Sequence, residues 1–226
     1  MQRTLILSFL LSLVATNTLF AQNDTVAITN DSIKPIQKVS DLYIAVDLAT
    51  PAQAIYSDKQ GIQASLSYQL NKKWVAVAEI GYEKNKFDEA QWKVDVDGMY
   101  AKVGANWFFT QEDSNFTNGF YLGARIAYAA YNQKINQYPI RDINASEIID
   151  YGSKEKASVS SYWFELVIGG RLQLHKNLYA DFSLHPAVYL GSKKQEDIDP
   201  LVIPGYGRNN GPFNLPVFWG ISYKLF

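Results

Sequence analysis

The sequence contains no cysteine, only two histidines, and no apolar run of membrane-spanning length beyond its N-terminal segment. The absence of cysteine excludes a disulfide framework, a thiolate metal site and the acylated cysteine of a lipoprotein. A helical membrane span needs about twenty apolar residues, so helical spans are excluded from the mature chain. An excess of charge of one sign is also missing. The 21 Lys and Arg residues nearly balance 22 Asp and Glu residues, so no basic surface indicates nucleic-acid binding.

The N-terminal segment has the pattern of a secretory signal peptide. Arg3 precedes an apolar run at residues 5–14, and the sequence Leu-Phe-Ala at residues 19–21 provides a cleavage site. We predict a signal peptide over residues 1–21. The alternative is an N-terminal core helix. Residues 22–40 are polar and aperiodic, which predicts a flexible periplasmic leader, and residues 41–226 are left as one domain.

From residue 41 onward the dominant signal is strict alternation of apolar and polar residues. Residues 62–70 (IQASLSYQL) alternate without error, which is typical of a β-strand with one apolar face. Comparable patterns predict eight strands, at residues 42–49, 62–70, 74–83, 99–109, 120–131, 160–174, 178–190 and 217–226.

The connections between these strands differ in length in a regular way. Residues 71–73 and 175–177 form short turns, and residues 110–118 form a moderate one. The other connections, at residues 51–60, 84–97, 132–159 and 191–216, are predicted to be long loops. Short turns at one rim and long extracellular loops at the other are typical of outer-membrane barrels.

The apolar face decides between a soluble barrel and a membrane barrel, because a soluble barrel turns that face inward. The opposite face is rich in small residues and poor in charge, which favours the membrane barrel. Aromatic residues lie near the strand ends on the apolar face, as interfacial girdles require. They are Tyr68, Trp74, Tyr82, Trp107, Phe109, Tyr128, Tyr162 and Tyr223. We therefore predict an all-β fold, an eight-stranded antiparallel up-and-down transmembrane β-barrel in the outer membrane of a Gram-negative bacterium.

The inward face of such a barrel carries four acids and four bases. They are Asp47, Glu79, Glu165 and Asp181 with Lys102, Arg125, Arg171 and Lys224. An eight-stranded barrel is just wide enough for side chains to fill it, and buried charges have to pair. The sequence therefore predicts a salt-bridged, plugged lumen. The alternative, charges that merely flank strand ends, applies best to Asp47 and Lys224.

Four short motifs resemble one known family. They are IAVDLATP at residues 44–51, AEIGYE at residues 78–83, WFE at residues 163–165 and IPGY at residues 203–206. The chain resembles a Bacteroidota-type family of small, uncharacterised outer-membrane barrels, domain of unknown function 6048. The resemblance covers nearly the whole mature chain. It implies a barrel and an outer-membrane location, and it implies no activity and no site residues.

One group of residues has a catalytic appearance. Asp181, Ser183 and His185 share one face of the seventh predicted strand. Residues two apart on a strand are about 6.5–7 Å apart, which is too far for a nucleophile–base hydrogen bond of about 2.6–3.2 Å. Pro186 can introduce a bulge that alters this spacing. We therefore predict no catalytic residues and no cofactor. We also predict no metal site, since the only other histidine, His175, lies in a tight turn.

The sequence leaves the physiological role open between three hypotheses. The first is a non-enzymatic structural or interaction barrel that presents extracellular loops to proteins or glycans. The second is a narrow, porin-like channel for small solutes, and the third is an outer-membrane enzyme that modifies lipids. The expected partners are outer-membrane lipid and, during insertion, the barrel-assembly machinery. Nucleic acid is not expected, and the barrel is expected to be monomeric.

Overall fold

The computed structural model describes residues 41–55, 57–110, 117–142, 147–196 and 198–226. All of them belong to one compact unit, Lys38–Phe226. The predicted signal peptide and leader at residues 1–40 lie outside the described residues.

The described chain is almost entirely β-strand, with one short helix, α1 (Ala49–Gln53), after the first strand. The twelve strands are β1 (Leu42–Asp47), β2 (Gln60–Gln69), β3 (Trp74–Glu89), β4 (Trp92–Phe108), β5 (Gly119–Arg141), β6 (Ile148–His175), β7 (Leu178–Leu184), β8 (Ala187–Lys193), β9 (Val202–Ile203), β10 (Gly207–Arg208), β11 (Phe213–Asn214) and β12 (Val217–Lys224).

Eight strands close into a ring by antiparallel pairing. Strands β1 to β6 each pair with the next strand along the chain, β6 pairs with β7, β7 pairs with β12, and β12 returns to β1. Closure leaves no unpaired sheet edge around the barrel, which is the condition that the hydrocarbon core of a membrane imposes on a sheet.

The seventh predicted strand is interrupted at His185 and Pro186. The β7 segment pairs with residues 168–175 of β6, and β8 pairs with residues 160–165 of the same strand. Across the break, the His185 N–H donates to the Pro216 carbonyl (2.8 Å) and the Leu166 N–H donates to the Pro186 carbonyl (2.9 Å). Proline has no N–H to contribute to the hydrogen-bond ladder, which explains why the interruption lies at Pro186.

The outward face of the ring carries no charge and is apolar at nearly every position. We define the belt as the outward positions of residues 42–48, 62–70, 74–82, 99–109, 120–130, 160–174, 178–190 and 217–225. None of these positions carries Asp, Glu, Lys or Arg, and many carry exposed Leu, Ile, Val or Phe. The belt is about nine residues tall on β2, close to the nine to eleven residues that a transmembrane strand needs. The predicted fold class, an eight-stranded antiparallel up-and-down transmembrane β-barrel, is confirmed.

Two of the four predicted long loops consist largely of paired β-strand. Residues 84–97 continue the pairing of β3 with β4 as far as Glu89 and Trp92, and the turn residues Ala90 and Gln91 both have positive φ. Strands β5 and β6 remain paired, with three irregularities, as far as Arg141 and Ile148. We call the paired residues 84–97, 132–141 and 148–159 the outer extension, because they continue the sheet beyond the belt.

A segment of the last long connection folds back into the barrel. Residues 202–206, which include β9, are all buried. Val202, Ile203 and Tyr206 pack against the inner faces of β4, β5 and β6 in the larger apolar cluster. We call residues 200–208 the lumen loop. Gly205 has φ +76°, and a Cβ there would lie 2.6 Å from the Tyr100 ring, so only glycine fits this position.

Candidate functional site

The candidate site is the polar interior of the barrel, where three ion pairs lie one above another. The central pair joins Arg125 Nε to Glu79 Oε1 at 2.9 Å, with both residues buried. Arg125 Nη2 also donates to Asn106 Oδ1 (2.8 Å), and Gln63 Nε2 donates to Glu79 Oε2 (3.0 Å). The Tyr100 hydroxyl donates to Gln63 Oε1 (2.7 Å). One continuous chain of hydrogen bonds therefore connects β2, β3, β4 and β5 across the lumen.

The second pair is built around Glu165, which is fully buried on β6. Lys102 Nζ lies 2.8 Å from Glu165 Oε1, and the same oxygen accepts a hydrogen bond from Trp163 Nε1 (2.7 Å). The other carboxylate oxygen faces His185 Nδ1 at 2.8 Å. A buried carboxylate loses its hydration, and these three partners replace it.

The third pair lies towards the short turns. Arg171 Nε donates to Asp181 Oδ1 at 2.8 Å, and Ser222 donates to the other oxygen of Asp181. The Arg171 guanidinium also lies over the Tyr43 ring, with the central carbon 4.7 Å from the ring centre. This pair links β6, β7, β12 and β1, the strands that close the ring.

Two of the eight predicted lumen charges lie outside this network. The carboxylate of Asp47 accepts hydrogen bonds from the backbone N–H groups of Ala49 (3.0 Å) and Thr50 (2.8 Å), at the start of α1. The Lys224 ammonium lies 2.6 Å from an Asp41 carboxylate oxygen at the partly exposed lower rim. Both residues stand at strand ends, so their neighbours along the chain and at the rim are nearer than the charges inside the barrel.

The geometric prediction for Ser183 and His185 is wrong. Ser183 Oγ and His185 Nε2 lie 2.8 Å apart, within hydrogen-bond distance. The spacing of about 6.5–7 Å applies to backbone positions two residues apart on a regular strand. The imidazole side chain extends part of that distance towards Ser183, and the strand is interrupted at His185 and Pro186. Together with the contact from His185 to Glu165, the structure forms a chain of serine, histidine and glutamate. Asp181 belongs to a separate ion pair and is not part of this chain.

The described residues enclose a smaller and a larger cavity within the barrel. The smaller, of about 20 Å³, is lined by Ser183, His185, Glu79 and Arg125 among others, and has room for about one water molecule. The larger, of about 340 Å³, opens at the end of the barrel that carries the outer extension. We call it the vestibule. His185 and Phe218 line both cavities and therefore form the partition between them.

At the short-turn end of the lumen, apolar side chains lie beside buried polar ones such as Gln69 and Arg171. Val75, Val77, Phe108, Tyr121 and Val167 form a second apolar cluster next to the short turns.

Several polar residues of the interior lie outside the set of predicted lumen charges. Glu83, placed at the very end of a predicted strand, is buried and lies 3.1 Å from Lys59 Nζ. Tyr100 and Gln63 were read only as parts of an alternating pattern. Their inward positions and hydrogen-bonding groups were the available signal, since a buried polar side chain needs a partner.

All eight predicted interfacial aromatics lie on the outward face, with side chains between 36% and 52% exposed. Tyr68, Trp74, Trp107 and Tyr223 stand near the short-turn rim, and Trp107 packs beside Phe109 with ring centres 6.0 Å apart. Tyr82, Tyr128 and Tyr162 stand near the opposite rim, where the outer extension begins.

The outer extension is polar on its surface and carries exposed ion pairs. Lys156 Nζ lies 2.9 Å from Asp97 Oδ1, and this hydrogen bond lowers the pKa of Asp97 below its usual value. Lys154 forms a close pair with Glu196, which raises the pKa of that lysine. These residues lie outside the belt and face water.

Among the described residues, no helix is both long and apolar enough to cross a bilayer. In the same part of the chain, no three His, Asp or Glu side chains approach one another closely enough to hold a metal ion.

Comparisons with known proteins give one family and a set of structural likenesses. The family model described as Domain of unknown function (DUF6048) matches residues 1–225. No curated protein matches the chain. Eight chains of solved structures match. One is Ail, the attachment invasion locus protein of Yersinia pestis, which is 12% identical over 82% of this chain and 97% of its own, with a TM-score of 0.43. The N-terminal β-barrel domain of Pseudomonas aeruginosa OprF is 13% identical over the same two shares, with a TM-score of 0.35.

Proposed function

The chain belongs to the family described as Domain of unknown function (DUF6048), and from its geometry we propose that it is a non-enzymatic interaction barrel of a bacterial outer membrane. The barrel anchors the protein in the lipid, its lumen is closed by ion pairs and packed side chains, and the outer extension and the lumen loop face the outside of the cell. The observation that carries this proposal is the inverted polarity of the sheet: an uncharged belt outside and three buried ion pairs inside.

The belt supports the membrane anchor. A charged side chain facing lipid at the midplane costs about 2–4 kcal/mol, and the belt contains none. A water-soluble monomer rarely exposes an apolar patch of more than a few hundred Å². The belt surrounds the whole barrel, so lipid is the partner that covers it.

The closed lumen supports an anchoring role over transport. Arg125, Lys102 and Arg171 each have a carboxylate partner within 3 Å, so no row of unpaired charges is left to conduct ions. The apolar cluster near the short turns lies beside the Arg171–Asp181 pair and adds packed side chains to that end of the lumen.

The remaining features of this proposal concern export and assembly. Residues 1–21 are removed as a signal peptide, and residues 22–40 act as a periplasmic leader of the barrel at residues 41–226. The barrel-assembly machinery inserts the chain, which functions as a monomer in a Bacteroidota-type bacterium. The outward loops contact extracellular protein or glycan, and no nucleic acid is bound.

Membrane anchoring is tested by fractionation and by gel migration with and without heating. The proposal expects the protein in the outer-membrane fraction, solubilised only by detergent, with a heat-dependent change of migration. A monomer that stays soluble without detergent would overturn it.

A small-solute channel is separated from the anchor by single-channel conductance in planar bilayers. The closed lumen predicts negligible current for the native chain. Glu79→Ala or Arg125→Ala removes one half of the central ion pair and is expected to raise the current. Steady conductance of the native barrel would favour the channel.

The chain of Ser183, His185 and Glu165 is the one observation that favours a lipid-modifying enzyme. The adjoining cavity of about 20 Å³ admits little more than one water molecule, and the Ser183 hydroxyl points into the lumen, away from lipid. The proposal therefore expects an unchanged lipid profile in cells that carry His185→Ala. An altered acyl composition would favour the enzyme.

A further inference from the structure

We propose that the vestibule is a binding site for a neutral saccharide. The inference deepens the interaction role proposed above and rests on it only for the direction in which the vestibule opens. It is carried by the size of the cavity, the balance of its charges and the kinds of hydrogen-bonding groups that line it.

The vestibule is large enough for a small ligand and has a shaped floor. Its volume of about 340 Å³ lies within the range of small-molecule sites, about 300–1,000 Å³. Phe218 and His185 form the floor. The lumen loop contributes Gly205 and Tyr206 to the wall. Because this loop is anchored in the apolar cluster, the wall is already formed without a ligand.

The charges around the vestibule are all compensated by neighbours. Lys59 lies 3.1 Å from Glu83, and Lys102 lies 2.8 Å from Glu165. Arg208 forms a close ion pair with Glu89 in the outer extension. A charged ligand would therefore have to compete with an existing pair, whereas a neutral one would not.

One buried acceptor in the wall has no partner within the described residues. Glu83 is 3% exposed; its Oε1 atom faces Lys59, and its Oε2 atom accepts no hydrogen bond. A buried carboxylate oxygen without a partner costs about 1–3 kcal/mol or more. Because this atom is itself buried, a ligand hydroxyl supplies the missing donor once the Glu83 side chain turns towards the vestibule.

The other lining groups match the two chemical faces of a sugar ring. Gln53 and Asn210 offer amides that donate and accept, which suits hydroxyl groups that do the same. Phe218, at the floor, offers aromatic surface for the C–H face of the ring. A lipid chain would meet too many polar groups here, and an anion would find Lys59, Lys102 and Arg208 already paired.

The test measures binding to the full-length chain in detergent by saturation-transfer NMR and calorimetry. The probes are neutral mono- and disaccharides, the neutral polysaccharide dextran, and a sulfated disaccharide. Binding of neutral probes more tightly than the sulfated probe is expected. Preference for the disaccharides indicates a nutrient-sized ligand, and preference for dextran indicates a surface glycan.

Two variants locate the site, each with a matched control outside the vestibule. Glu83→Gln is expected to weaken binding about tenfold or more, since a hydrogen bond to a charged group is lost. Asn210→Ala changes an exposed loop residue and keeps the test valid if Glu83→Gln fails to fold. The controls, Glu155→Gln and Asn136→Ala, change the same residue types in the outer extension and are expected to leave affinity unchanged.

Three results would overturn the inference. They are the absence of binding to any neutral probe, tighter binding of the sulfated probe, and equal effects of the site and control variants. Heat-dependent gel migration is recorded on the same samples. A chain that migrates as a folded barrel and binds no saccharide refutes the site while leaving the proposed anchor intact.

Discussion

Removing one member of the central ion pair is expected to destabilise the barrel strongly. Glu79→Ala leaves the Arg125 guanidinium buried, with Asn106 and two backbone carbonyls as its remaining partners. Breaking a buried pair in this way costs about 3–5 kcal/mol. Arg125→Ala leaves Glu79 with only Gln63 as a hydrogen-bond donor, and the same range applies.

Removing both charges together is expected to cost less than the two single changes added. The variant Glu79→Leu with Arg125→Met leaves no unpaired ion. It leaves Gln63 Nε2 and Asn106 Oδ1 without their hydrogen-bond partners, and each unsatisfied atom destabilises the fold by about 1–3 kcal/mol unless a water molecule replaces the partner. The neighbouring cavity of about 20 Å³ can supply that water. We expect the double change to fall short of the sum of the Glu79→Leu and Arg125→Met single changes by about 2–3 kcal/mol.

The assay is urea unfolding in phospholipid vesicles, followed by tryptophan fluorescence and by heat-dependent gel migration. Asp97→Asn serves as the control, because the exposed Asp97–Lys156 pair is worth only about 0–1 kcal/mol. The reasoning would be refuted if Glu79→Ala cost less than about 1 kcal/mol. Strict additivity of Glu79→Leu and Arg125→Met would refute it as well.

Three further predictions concern the belt, the turn of the outer extension and the lumen loop. Ile126→Arg, in the belt, is expected to lower the free energy of unfolding in vesicles by about 2–4 kcal/mol. The control Ile149→Arg, in the outer extension, is expected to change it by no more than about 0.5 kcal/mol. The two native side chains are 67% and 65% exposed, so equal losses would contradict a lipid-facing belt. Ala90 and Gln91 both have positive φ, which Asn and Gly adopt more easily, so replacing them by Asn and Gly is expected to stabilise the turn by about 1 kcal/mol. The measurement is hydrogen exchange in the neighbouring strands, which should become slower; faster exchange would contradict the prediction. Gly205→Ala is expected to displace the lumen loop, because the new Cβ lies 2.6 Å from an aromatic ring of β4, and protease cleavage within residues 200–208 should rise; unchanged protection would contradict it.

Alternation predicted the barrel well because the belt and the lumen impose opposite chemistry on successive residues. Residues 62–70 show this plainly: every even position faces outward and every odd position faces inward. The outer extension was missed for the same reason. Its polarity is reversed: Val94 and Val96 face inward and lie in the larger apolar cluster, while Lys93 faces outward, so no outward apolar face marks these strands.

The interior network was only partly predictable. The sequence placed Glu79, Lys102, Arg125, Glu165, Arg171 and Asp181 on the inward face, and the structure buries all six. Which charge meets which depends on strand register around the closed ring, and alternation does not contain that information. Glu165 shows the limit, since it pairs with Lys102 on β4 and not with Arg125, its register partner on β5.

The pairing of β1 with β12 has a consequence for how the molecule forms. Residues 42–47 reach their hydrogen-bond partners only when residues 220–224, almost the last of the chain, are present. Until then the sheet has two open edges, which are sites of unwanted strand pairing, and contacts this distant in sequence form slowly. The ring therefore completes only after the whole chain has been delivered, and a chain truncated before β12 would remain an open sheet prone to aggregation.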